Sequence, residues 1–282
     1  MKILVTGATG FIGNYVIKEL LKHDNLNIVA TSRNINKAME CSWFNNVQYI
    51  QYDLNKNSDE NLYEFFGKPD AAIHLGWEGL PNYNDLVHIE NNLYNNYYFL
   101  KNLISNGLKN ISITGTCFEY GMINGELNED MNTLPSNSYA IAKDTLRKFT
   151  EELQKNYKFD LKWIRLFYMY GKGQSKTSLL SLLDKAIEDG DTEFNMSGGE
   201  QLRDYLHVSQ VSSNIVKIAK QNEITGIINC CSGKAISIRS LVENYLSENN
   251  YNMKLNLGYY NYPSYESMAF WGNRNKLLKI KG

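Results

Sequence analysis

The hydrophobic pattern switches repeatedly between a strand period and a helix period. Lys2 to Thr6 is a short β-rich run, followed by glycines and an apolar helical series at Phe11, Ile12, Val16, Leu20 and Leu21. Ile28 to Thr31 reads as a second strand, Val47 to Tyr52 as a third, and Ala71 to Leu75 as a fourth. A long helix is expected over Leu86 to Ser105, a fifth strand over Ile111 to Thr114, a helix over Ser138 to Asn156, and a sixth strand over Lys162 to Phe167. Strands alternating with helices predict parallel βαβ units and an α/β doubly wound, Rossmann-like sheet. The regularity weakens after Gly171. Leu179 to Asp189, Val208 to Gln221 and Ile238 to Ser247 look helical, with short strands between them. A dinucleotide-binding domain is therefore expected over residues 1–165. Residues 166–282 would form mainly a smaller C-terminal α/β substrate lobe, from which some strands and helices can return to the first domain.

Three glycines at 7, 10 and 13 lie between a strand and a helix. Gly7 allows the tight turn, Gly10 lets backbone N–H groups approach a pyrophosphate, and Gly13 lets the helix sit close to the sheet. The helix N-terminus adds partial positive charge. Thr9, Phe11 and Ile12 belong to the same loop. The end of the second strand, where a dinucleotide fold reads the ribose, carries Ser32-Arg33. Arginine can pair with a 2′-phosphate, and no carboxylate is expected there to repel it. NADP(H) is expected, with NAD(H) as the alternative. Asp53 and Leu54 follow the third strand, where a carboxylate can accept from the adenine amino group; Asn92 sits in the long helix.

Tyr139 and Lys143 are four apart on an expected helix and share one face. A free phenol has a pKa near ~10, and a nearby ammonium lowers it. Tyr139 can then donate a proton to a ketone oxygen, or remove one from an alcohol. Lys143 would also reach the nicotinamide ribose, and Thr116, after the fifth strand, offers a hydroxyl for the same oxygen.

Composition narrows the partners. The chain has 282 residues, 43% of them hydrophobic, and a formal net charge of −1. That leaves no basic field for nucleic acid or anionic membrane. The four cysteines, Cys41, Cys117, Cys230 and Cys231, show no CxxC spacing and no histidine cluster, so neither a disulfide framework nor a metal site is expected. The apolar run at Met1 to Val5 stops at Thr6-Gly7, too soon for a signal peptide, and no stretch is long enough to span a bilayer. A cytoplasmic protein is expected.

With these motifs in place, the chain resembles the extended short-chain dehydrogenases, the NAD-dependent epimerase/dehydratase family of nucleotide-sugar enzymes. The resemblance rests on Thr6-Gly-x-x-Gly-x-x-Gly13, His74-Leu75-Gly76, Thr116-Cys117-Phe118-Glu119-Tyr120-Gly121, Tyr139-x-x-x-Lys143, Tyr170-Gly171 and Arg203-Asp204-Tyr205-Leu206-His207-Val208. It implies Leu75, Gly76 and Thr114 at the cofactor. It implies Arg203 as anchor for the nucleotide-sugar phosphates, with Arg274 a second candidate. Trp77, Thr116, Cys117, Phe118, Tyr139 and Tyr168 would meet the substrate. The family's 4,6-dehydratases carry Asp-Glu after the catalytic hydroxyl residue, and its epimerase/reductases a cysteine two places after it. Cys117-Phe118 fits neither. What remains resembles the 4-keto reductases of deoxysugar pathways: NAD(P)H-dependent reduction at C4 of a nucleotide-linked 4-keto-6-deoxy sugar, the type that yields dTDP-fucose for surface polysaccharide. A 4-epimerase with tightly held NAD and a non-enzymatic dinucleotide-binding regulator are the alternatives. The resemblance also implies a homodimer built through two helices per subunit. The Tyr-rich stretch Tyr94 to Leu103 is compatible with that and equally with ordinary core.

Overall fold

The computed structural model describes residues 1–56, 59–262 and 267–281. β1 (Lys2–Thr6) leads through the glycine turn into α1 (Phe11–Leu20), and β2 (Asn27–Ser32) follows, then α2 (Ile35–Met39), β3 (Gln48–Gln51), α3 (Leu62–Phe65) and β4 (Ala71–His74). The expected long helix begins instead as a wide turn, His88–Leu93, and becomes α4 (Tyr94–Ser105). Side chains account for the wide turn. His88 Nε2 donates to the Asn82 carbonyl at 2.8 Å, and Asn92 Nδ2 to that of Glu78 at 3.1 Å, so this end is tied to the preceding loop.

β5 (Asn110–Thr116) is buried at every residue, as expected of a parallel strand covered on both faces. β6 (Gly125–Leu127) precedes α5 (Ser138–Leu153), which Asn137 caps by accepting from Ala140 N–H at 2.9 Å. Next come β7 (Asp160–Leu166), β8 (Tyr168–Tyr170), α6 (Leu179–Glu188), β9 (Glu193–Asn195), β10 (Leu202–Arg203) and β11 (Tyr205–His207). The chain ends with α7 (Val208–Lys220), β12 (Gly226–Cys230), β13 (Ile236–Ser237), α8 (Ile238–Glu248), β14 (Lys254–Asn256), β15 (Phe270–Gly272) and α9 (Asn275–Leu278).

Seven strands make one parallel sheet in the order β12-β7-β5-β4-β1-β2-β3. This is a Rossmann-like doubly wound sheet, and the order reverses between β1 and β4. α1 buries Val16, Ile17 and Leu20 in one core with Val211, Ile215 and Val216 of α7. The opposite face packs Leu100, Leu103 and Ile104 of α4 and Leu146 and Leu153 of α5 in a second core. α7 and β12 thus come from the C-terminal half but join the large sheet. α6, α8 and β9 bury Leu183, Phe194 and Val242 in a separate small core. It lies beyond the strand ends, where a crevice opens at the switch point.

Candidate active site

A cleft of about 780 Å³ opens above the carboxyl ends of β1, β4 and β5. Gly7, Gly10, Phe11, Ile12 and Gly13 line one end. Gly7 has φ +66°, and a Cβ on Gly13 would fall 2.2 Å from the Gly7 carbonyl oxygen. The loop is therefore closed on its own backbone and on the start of α1, as a phosphate cradle requires. Thr9 is buried, and its carbonyl accepts from Asn14 Nδ2 at 3.2 Å. Trp43 Nε1 donates to Asn14 Oδ1 at 2.8 Å, which locks that side chain.

The fourth strand is joined to the cradle by a buried relay. Thr6 Oγ1 accepts from Leu75 and Gly76 N–H at 3.1 and 3.2 Å, leaving its proton for His74 Nδ1 at 2.9 Å. His74 Nε2 then donates to Asn96 Oδ1 at 2.6 Å. Burial, with Lys143 adding to it, lowers the His74 pKa to about 3, so the ring is neutral. Leu75 lines the cleft, and a Cβ on Gly76 would meet Leu54 Cδ1 at 2.4 Å.

Thr116, at the end of β5, and Tyr139, in the first turn of α5, come together at the cleft floor and share a hydrogen bond. Tyr139 is 8% exposed and packs against Trp77, Tyr83 and His88, with ring centroids 6.0, 5.7 and 5.4 Å away. Burial raises its pKa above the ordinary phenol value, helped by Tyr83 and Glu119, while the Thr116 hydrogen bond works the other way. Lys143 is 2% exposed, donates to the Thr114 carbonyl at 2.9 Å, and lies 4.0 Å from the centre of the Trp77 ring. Desolvation lowers the pKa of this ammonium to about 7, against a raising influence of Glu119. Trp77 is part of the cleft wall and Lys143 is not. Thr114 contributes through its carbonyl, and its hydroxyl donates to the His74 carbonyl at 3.2 Å.

Glu119 received no role in the sequence reading, yet it holds this floor in place. It is fully buried. Oε1 accepts from Thr116 N–H at 2.8 Å and Oε2 from Arg165 Nε at 2.7 Å, and Trp163 Nε1 donates to both oxygens. Phe118 N–H donates to Thr116 Oγ1 at 3.3 Å, completing a capping box. The signal was available as the spacing Thr116-x-x-Glu119.

Cys117, Phe118 and Tyr168 line the cleft together with Tyr83, Tyr170 and Tyr205. Arg203 does not line it. Its guanidinium is buried, donates to the carbonyls of Leu202 and Met268 at 2.9 and 3.3 Å, and lies 4.6 Å from the Phe270 ring centre and 5.8 Å from that of Tyr168. Arg274 donates to the Ser232 carbonyl at 3.1 Å and is also outside the wall. Asn92 is buried behind the loop after β4, at the Glu78 carbonyl.

Ser32 ends β2, Arg33 follows it and Asp53 follows β3; none of the three lines the cleft. Ser32 Oγ meets the Tyr49 hydroxyl at 2.9 Å, and Asp53 Oδ1 accepts from Asn55 N–H at 3.1 Å. One expectation fails here. Arg33 is bonded to the carboxylate of Glu78, so a negative charge does stand where none was expected. It comes from a loop 45 residues away in sequence, which inspection of the second strand cannot reveal.

Residues 3–257 match the model of the NAD dependent epimerase/dehydratase family. The chain belongs to that family. A relative from Aggregatibacter actinomycetemcomitans named dTDP-6-deoxy-L-talose 4-dehydrogenase (NAD(+)) is 32% identical over 273 residues, covering 96% of this chain and 99% of its own. The dTDP-4-dehydro-6-deoxyglucose reductase of Escherichia coli is 26% identical over 256 residues, covering 86% and 79%. Among solved structures, a UDP-glucuronic acid 4-epimerase from Bacillus cereus, in complex with UDP-glucuronic acid and NAD, superposes with a TM-score of 0.85 at 22% identity, covering 99% of this chain and 92% of that one. This last likeness concerns the family fold alone. Among the described residues of this family member no helix is long and apolar enough to cross a membrane, and no cluster of His, Cys, Asp or Glu is arranged to hold a metal ion.

Proposed function

We propose that this chain transfers a hydride at C4 of a nucleotide-linked 6-deoxyhexose, reducing the 4-keto sugar or, in reverse, acting as a 4-dehydrogenase. One observation carries the reading. No described residue of the cleft wall bears a carboxylate or an imidazole; its polar side chains are hydroxyls, phenols, the Trp77 indole, the Gln174 amide and Cys117. Elimination of water or inversion beside the ketone needs a carbon acid–base pair, whereas ketone reduction needs one positioned proton donor. The names of the two relatives above support the same chemistry.

The cradle at Gly7, Gly10 and Gly13 fits a dinucleotide pyrophosphate, because a side chain at Gly13 would overlap the loop backbone. NAD(P)H supplies the hydride when bound. Tyr139, kept protonated by burial, donates its phenolic proton to the new alkoxide, and Thr116 holds the same oxygen by hydrogen bond. Lys143 would hold the nicotinamide ribose. Arg203 supports the substrate wall through the Tyr168 ring rather than by reaching into the cleft. The exposed Tyr94 and Tyr98 of α4 and Ile141 and Phe149 of α5 lie on adjacent helices and would form a homodimer face.

The test supplies purified protein with 4-keto-6-deoxy sugar nucleotides and NADH or NADPH, and identifies products by NMR. Net oxidation of the cofactor with formation of a C4 alcohol is expected. Tyr139→Phe should lower turnover ~10²–10⁴-fold with cofactor binding retained. Interconversion of two sugar nucleotides without net cofactor use would make the protein an epimerase and overturn the reading. Cofactor binding without turnover across the panel would make it a regulator.

A further inference from the structure

Arg33 stands twenty residues beyond Gly13, just past β2, at the level where a dinucleotide fold reads the adenosine ribose. By itself it would draw a 2′-phosphate. Its guanidinium is instead engaged by Glu78, which comes from the loop after β4. The same carboxylate oxygen accepts from Asn55 Nδ2 at 3.2 Å, beyond β3. Asn55 Oδ1 in turn accepts from Asn95 Nδ2 of α4 at 2.9 Å. The Glu78 carbonyl is held by Asn92 Nδ2 at 3.1 Å. Arg33 and Asn55 thus both reach the Glu78 carboxylate, Asn95 braces Asn55, and Asn92 anchors the Glu78 backbone.

We infer that Glu78 is the cofactor-specificity residue of this chain, supplying from the β4 loop the carboxylate that β2 lacks and thereby selecting NAD(H) over NADP(H). This rests on the reading of the cleft as a dinucleotide site. A carboxylate beside the ribose accepts from its hydroxyls. A 2′-phosphate placed there meets a like charge and must also displace Glu78 from Arg33. At an exposed site, like charges a few ångström apart are worth roughly a tenfold change in affinity. Arg33 then serves to aim Glu78.

The experiment titrates the full chain, stripped of carried-over nucleotide, with NADH and NADPH by calorimetry, without sugar. Wild type should bind NADH at least tenfold tighter than NADPH. Glu78→Gln should move the ratio at least tenfold toward NADPH, because it frees Arg33 and removes the like charge. The double variant Glu78→Gln/Arg33→Met should lose most of that gain. Added salt should shrink the effect. A wild type that binds NADPH as tightly as NADH overturns the inference, as does a ratio that Glu78→Gln leaves within twofold. Both variants change side chains more than a third exposed, and matching melting temperatures confirm that they fold. If neither dinucleotide binds wild type, the inference falls together with the cofactor site. Selective NADH binding without sugar turnover removes only the proposed reaction.

Discussion

Lys143 gives this protein a pH-dependent stability that can be measured. In the folded chain its ammonium is 2% exposed, with the Thr114 carbonyl and the Trp77 ring for company, and desolvation lowers its pKa from 10.5 to about 7. In the unfolded chain it regains the ordinary value. Between those two values the unfolded state binds a proton that the folded state does not. Stability therefore rises with pH across that window, at up to ~1.4 kcal/mol per pH unit. Below pH 7 both states hold the proton and the slope vanishes. From pH 7 to pH 9 the gain amounts to about 2 kcal/mol. Lys143→Met removes the titrating group and keeps much of the volume. Urea unfolding of both proteins at pH 6, 7, 8 and 9, followed by tryptophan fluorescence, reads the difference between the two curves. Shared contributions cancel, including that of Lys162, whose pKa burial lowers to about 8. The wild-type curve should climb by about 2 kcal/mol relative to the variant, all of it above pH 7. Parallel curves would refute the reasoning, since they would mean that Nζ is solvated or paired in the folded state.

Gly13→Ala should abolish dinucleotide binding and lower the melting temperature by several degrees, because the added Cβ lies 2.2 Å from the Gly7 carbonyl and 2.8 Å from the Ala8 backbone; binding within threefold of wild type would contradict this. Glu119→Ala leaves Arg165 and Trp163 Nε1 without their buried acceptor, and should cost about 3–5 kcal/mol in urea unfolding. A loss below about 1 kcal/mol would show that the ion pair is dispensable. Tyr98→Asp together with Phe149→Asp should yield monomers in sedimentation equilibrium if α4 and α5 form the proposed dimer face; a wild type that sediments as a monomer removes that face.

What the sequence determined by itself is local. The strand and helix periods of the βαβ units can be read over five to fifteen residues, and the elements formed close to the expected positions. The glycine turn is legible because Gly7, Gly10 and Gly13 act on backbone within six residues of one another. Tyr139 and Lys143 share a face because four positions make about one helical turn. Tertiary structure decided everything that depends on neighbours distant in sequence. It returned α7 and β12 to the large sheet, and it turned Arg203 toward Phe270 rather than into the cleft. It placed the Lys143 ammonium on the Trp77 ring and buried the Tyr139 phenol, so burial dominates the acidity of that phenol. It also brought Glu78 across 45 residues to Arg33. The physical reason is common to all of these. Backbone conformation is set mainly by adjacent residues, whereas the charge and solvation of a side chain are set by whatever the fold packs against it.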